Sequence, residues 1–105
     1  MPTIDDALDY MGIDYADEKI RKNVQRKLNA AVKIVQGSVG KDVDTYLPGD
    51  ERVAELILAH TDILYHGGGG AKVDAAVQHL IDTTESQLRL ELRQAKEAKE
   101  EAGAV

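Results

Sequence analysis

From Asp50 to Tyr65 the chain alternates apolar and polar residues with a period near 3.6. At 100° per residue Val53, Leu56, Ile57, His60 and Leu64 fall on one side, and Glu51, Glu55 and Asp62 on the other. This spacing predicts an amphipathic helix with Asp50 as its N-cap. Its aliphatic stripe is the widest in the sequence and is expected to sit at the centre of the core. Burying those side chains contributes roughly 6–12 kcal/mol before chain entropy is subtracted.

The same period appears upstream. Ile4, Ala7, Leu8 and Met11 share a face behind Thr3, a good N-cap, with Asp5 and Asp6 in the first turn and Gly12 as a stop. A short helix is predicted over about Ile4–Met11. A second helix, capped by Asp14 or Asp17, is predicted to run to Gln36 on the stripe Ile20, Val24, Leu28, Ala31 and Val35, with Gly37 just past its end. Ser38 to Gly49 reads as a loop with a short extended piece around Asp42–Tyr46. Downstream, Gly67 to Gly70 reads as a connector between helices. Val73, Ala76, Val77, Leu80, Ile81, Thr84, Leu88 and Leu92 then follow one face of a helix from Lys72 to Glu100, with nothing to stop it before Gly103. Such a helix is roughly 43 Å long, whereas a domain of this size has a radius of gyration near 13 Å. Its second half is therefore expected to project, with Leu88 and Leu92 available to grip a partner in a helix-in-groove manner. The fold class is all-α: a bundle of about four helices with a long projecting C-terminal helix. Residues 1–95 form the domain, and 96–105 a charged tail that frays when unbound.

Composition narrows the classes. A chain of 105 residues is one domain. It has no Phe, Trp or Cys, so the core is aliphatic and neither disulfides nor Cys-ligated metals are available. A net charge of −6 argues against a dedicated nucleic-acid binder. No basic segment leads into an apolar run at the N-terminus and no apolar run approaches ~18 residues, so neither a signal peptide nor a membrane span is expected. Charge is segregated. Every charged residue up to Glu18 is acidic, Asp5, Asp6 and Asp9 among them; from Lys19 to Lys41 every one is basic, including Lys19, Lys22 and Arg26. Either the two segments contact each other within one chain, or the acidic segment of one copy meets the basic face of the next. A phosphate-tracking role for the basic row lacks interleaved aromatics and a recognition-helix turn.

Chemistry-bearing motifs are sparse. His60 sits mid-stripe with no second His at i+4, which reads as a core or interface histidine held by one hydrogen bond. His66, one turn after Asp62 near a helix C-terminus, has a structural reading as well. Asp42-Val43-Asp44 lacks the later ligands and mid-loop glycine of a calcium loop. The glycine run followed by Ala71-Lys72 lacks the Gly-Lys-Ser/Thr of a phosphate loop. No carboxylate pair, Ser/His or His/His arrangement has catalytic spacing. No enzyme activity, cofactor or metal is expected.

Thr3-Ile4-Asp5-Asp6-Ala7-Leu8-Asp9-Tyr10-Met11-Gly12-Ile13-Asp14 resembles the opening of the small head–tail connector (adaptor) proteins of long-tailed phages. Those begin with a Thr-capped helix, an Ala-x-x-Tyr-Leu-like core and an Ile/Val-Asp step into a long second helix. The likeness continues through the second helix and its glycine stop to Ala-Glu-Leu-Ile-Leu-Ala-His at 54–60, covering about residues 3–66. The glycine run and the long charged helix fall outside it. The resemblance implies a homo-oligomeric ring, typically of twelve copies, at the virion neck. Such a ring is made in the bacterial host cytoplasm. It sits beneath the portal protein, receives head-closure or tail-completion proteins, and meets DNA only in passage. The acidic first helix (Asp5, Asp6, Asp9) and basic second helix (Lys19, Lys22, Arg26) would supply its interface. Two alternatives compete. A packaging factor of the small terminase type binds DNA through a helix-turn-helix, but Gly37 to Gly49 is too long for that turn. A generic helical module would bind a partner helix as a stable monomer or dimer.

Overall fold

The computed structural model describes residues 1–67 and 75–103. It is an all-α bundle of α1 (Ile4–Tyr10), α2 (Glu18–Ser38), α3 (Val43–Tyr46), α4 (Glu51–Gly67) and α5 (Ala75–Gly103). The expectations on Gly68–Gly70, on Val73 and on a helix start near Lys72 lie outside the described residues, as do Ala104 and Val105. No described helix is long and apolar enough to cross a membrane.

Local chemistry sets the first two boundaries. The Thr3 hydroxyl accepts from the Asp6 N–H while the Asp6 carboxylate accepts from the Thr3 N–H, a complete capping box. At the other end the Gly12 N–H donates to Asp9 O and the Ile13 N–H to Leu8 O, at 3.0 and 2.9 Å. This is a Schellman ending, with Gly12 at φ +72° and Ile13 packed in the same apolar cluster as Leu8. Asp17, not Asp14, caps α2 through the Ile20 N–H at 2.8 Å.

Two boundary expectations are corrected. Helix α2 passes through Gly37 and ends at Ser38. Val39 is buried in the core and its N–H reaches Val35 O at 2.8 Å, which carries the helix past the first glycine; Gly40, at φ +154°, is the residue that turns the chain. The stretch Asp42–Tyr46 is not extended but a helical turn, with the Tyr46 and Leu47 N–H groups bonded to Asp42 O and Val43 O. Fully buried Val43 pins it, and Tyr46 and Leu47 lie on the same side.

Helix α4 runs back along α2. Val53, Leu56 and Ile57 meet the C-terminal half of α2 in one cluster, while Leu58 and Tyr65 meet Val24 and Ile20, together with Ala7 and Leu8 of α1, in another. Helix α5 then closes the larger cluster with Ile81, Leu88 and Leu92. This corrects the expectation for Leu88 and Leu92 alone; past Lys96 the helix is exposed at Glu97–Glu101. Leu88 and Leu92 are buried inside their own chain and are not a free gripping surface. The molecule measures 54 × 30 × 18 Å, so it is long enough to carry a helix of this length lying along it. Helix α5 continues past residue 95, where Lys96 Nζ lies 3.0 Å from Asp42 Oδ2, and Lys96 and Lys99 stand over the Tyr46 ring at 5.7 and 5.3 Å. Both ends of α5 are exposed, Ala75–Leu80 at its start and Glu97–Glu101 near its finish.

Polar contacts fix how α5 sits. Arg52 of α4 donates to both carboxylate oxygens of Glu91 while also holding Asp50 through Nε and Nη2. His60 Nε2 and Glu85 Oε1 are 3.2 Å apart, so the mid-stripe histidine finds its partner on α5. Arg89 Nη1 donates to Ser38 O at 2.9 Å. The last turn of α2 contains no basic residue of its own, so α5 supplies the cation that its C-terminal carbonyls favour.

The Arg52 cluster sets a pH dependence. Hydrogen bonds from Arg52 hold the Asp50 and Glu91 carboxyls below their ordinary range. Their folded pKa values lie below the unfolded ones, near 4, so the unfolded state binds more protons on acidification. The stabilisation is complete above the unfolded pKa values and is lost as pH falls through the folded ones. Melting temperature is expected to drop below about pH 5. Arg52→Met is expected to lower it at neutral pH and to flatten that acid dependence. Thermal melts from neutral to acid pH check this, and an unchanged acid slope in the variant would refute it.

Candidate functional site

The surface carries two grooves of opposite charge that share no residue. The first, of about 430 Å³, lies along the start of α2 and is lined by Lys19, Ile20, Lys22, Asn23 and Arg26, with Tyr65 entering from α4. The basic residues recur at i, i+3 and i+7, which places them on one helical face, away from the buried stripe of Val24, Leu28, Ala31 and Val35. Lys22 makes one long contact with Glu18, at 3.8 Å and exposed on both sides, and is not neutralised by it. No ion pair engages Lys19 or Arg26 among the described residues.

The second groove, of about 370 Å³, opens where α1, the loop after α3 and the first turns of α4 meet. Asp6, Asp9, Asp44, Glu51 and Glu55 crowd its walls, while Leu47, Val53 and Leu58 form apolar parts of its lining. A third groove, of about 490 Å³, continues from it between α4 and α5. Tyr10, Glu51 and Glu55 line both. The third is mainly apolar, lined by Leu56, Ala59, Val77, Leu80 and Ile81. Val77 is 45% exposed, Leu80 66% and Tyr10 45%. Burial, and then the charges of Glu55 and Asp62, push the Tyr10 phenol above its usual range, so it stays neutral at physiological pH.

The residues expected to form the interface are thus divided. Lys19, Lys22 and Arg26 come together in one groove. Asp9 stays exposed at the edge of the acidic one. Asp5 instead pairs with Arg21 of the same chain at 3.3 Å, an exposed contact between α1 and α2. Asp6 is committed to the Thr3 capping box, whose backbone hydrogen bond holds its carboxyl below the ordinary range. Charge segregation therefore serves contact within the chain in part, and leaves the Lys19–Arg26 row and Asp9 unspent.

Three features were not found from the sequence. Tyr65 is one more residue of its helix in the sequence, yet in the fold it supplies the aromatic that the basic row lacks locally. Glu51 and Glu55 fall opposite the apolar stripe of α4 in the sequence; in the fold they line the same grooves as Tyr10 of α1. Val77 and Leu80 share a sequence stripe with Leu88 and Leu92, but burial begins only at Ile81. Their apolar character was the visible signal; where α5 first meets α4 was not. No group of His, Asp and Glu suited to holding a metal is found among the described residues. Comparison of the chain with protein-family models, with curated proteins and with solved structures returns no match.

Proposed function

We propose that this chain is a structural ring subunit of the head–tail connector type, joining a portal to head-closure or tail-completion proteins and continuing a DNA channel. The observation that supports it best is the pair of grooves. A closed ring of identical subunits needs two different, complementary patches on each copy. Here a basic face on α2 and a carboxylate-lined groove between α1 and α4 occupy separate parts of one small surface. In this reading the subunit performs no chemistry, and an acidic chain lines a channel without arresting the duplex. Its place is the virion neck.

Reversing Lys19, Lys22 and Arg26 to Glu tests the reading. Each exposed pair contributes about 0.2–1 kcal/mol, so losing three is expected to weaken subunit association roughly tenfold. Sedimentation and negative-stain imaging, alone and with a portal, read the outcome. Assembly that is unaffected by the reversal sinks the charge-pairing basis of the proposal.

One observation favours a second reading. Tyr65 beside Lys19, Lys22 and Arg26 places an aromatic in a basic groove, as a nucleic-acid surface would. A DNA-packaging factor of the small terminase type would bind duplex DNA with a steep salt dependence. A gel shift across a salt series separates the two, because a connector binds duplex DNA negligibly.

A further inference from the structure

The acidic groove and the apolar groove form one track, because Tyr10, Glu51 and Glu55 border both. Its two ends differ: carboxylates, Asp9 among them, at the α1 end, and Val77 with Leu80 at the α5 end. An occupant that satisfies both must be basic at one end and apolar at the other.

The outer face of α2 has that order. Lys19, Lys22 and Arg26 lead, exposed Ala30 follows, and Ile34 comes two turns after Arg26. Ile34 is the only exposed large hydrophobic of α2. The buried stripe of the same helix explains Val24, Leu28 and Val35 but not Ile34, and Lys33 beside it is exposed as well. From Lys22 to Ile34 the helix spans roughly 18 Å, a reach suited to two adjoining grooves.

We infer that the track is the seat of α2 from a second copy of this chain, with Ile34 of that copy against Val77 and Leu80 and its Lys22 and Arg26 against Asp9 and Glu55. The contact is heterologous, since the track and the α2 face are different surfaces of one molecule. It rests on the ring reading above and specifies which faces meet. The apolar end provides desolvated contact, and the charged end provides register and encounter rate.

The chain contains no cysteine, so engineered pairs report cleanly. The test places two substitutions in one chain, Ile34→Cys and Leu80→Cys, both at exposed positions. Mild oxidation of the assembled protein is expected to yield a ladder of covalent multimers that collapses on reduction, whereas either substitution alone yields none. Leu80→Glu is expected to weaken self-association roughly tenfold or more, while Tyr15→Glu, at an exposed site away from the track, leaves it unchanged. Matching melts of the reduced variants and the parent establish that folding is intact. Covalent dimers from Leu80→Cys alone would mean that the apolar patches pair with each other, which overturns the inference. Assembly that persists without a ladder also overturns it while leaving the ring reading standing. A chain that stays monomeric at the highest attainable concentration and in the presence of a portal overturns both.

Discussion

Leu88→Ala is expected to destabilise the isolated chain by about 2–5 kcal/mol, the range for removing a fully buried leucine from a close-packed site. Leu88 has no exposed surface and sits in the cluster that joins α2, α4 and α5. In a domain of this size each kcal/mol shifts the midpoint by about 4–8 °C, so a fall of at least about 10 °C is expected. Leu90→Ala is the matched control. Leu90 lies half a turn away, is 53% exposed, and its replacement is expected to change stability by less than about 0.5 kcal/mol. The contrast separates two pictures of α5. If Leu88 instead served as an anchor for another protein, truncating it would leave the free chain nearly unchanged and reduce only binding. Thermal or denaturant unfolding of the isolated chain, without any partner, decides between them.

What the sequence disclosed, and what it hid, follows the range of the interactions. The Thr3 cap, the Gly12 ending and a cap at Asp14 or Asp17 act over three to five residues, and residue identity alone points to them; the returning bond from Asp6 and the choice of Asp17 belong to the folded geometry. The stripes of α2 and α4 were equally legible, because periodicity records one helix's own geometry. The failures all involve choice between neighbours. Gly37 and Gly40 both signal a stop, and only the burial of Val39 selects the later one. Leu88 and Leu92 were recognisable as apolar and aligned, but a length argument sent them outward because it assumed a rounder body than 54 × 30 × 18 Å. The partners His60–Glu85 and Arg52–Glu91 lie 25 and 39 residues apart, and nothing local couples them. The candidate surface divides in the same way. The Lys19–Arg26 row was visible on one helix, whereas the track built from Tyr10, Glu55 and Leu80 draws on three.

Gly40→Ala and Gly37→Ala are expected to move stability in opposite directions, though the two glycines are only three residues apart. At Gly40 the backbone has φ +154°, a conformation that L residues rarely adopt, and forcing it costs about 1–3 kcal/mol. A Cβ added there would also collide with Leu92 Cδ2. Leu92 is itself buried, so its methyl has little room to retreat, and overpacking adds about 1–3 kcal/mol. Gly37 is in the last turn of α2 with no positive φ, and a Cβ there meets nothing within 4 Å. Alanine at that position is expected to stabilise by about 0.4–1 kcal/mol, because it restricts the unfolded chain without disturbing the folded one. A double-mutant cycle isolates the collision. Leu92→Ala removes the obstructing methyl, so the pair Gly40→Ala/Leu92→Ala should be less destabilised than the sum of the single variants, by about 1–3 kcal/mol. Additivity within about 0.5 kcal/mol would mean that α5 does not rest on the turn after α2. The placement of Leu92 in the core would then be wrong.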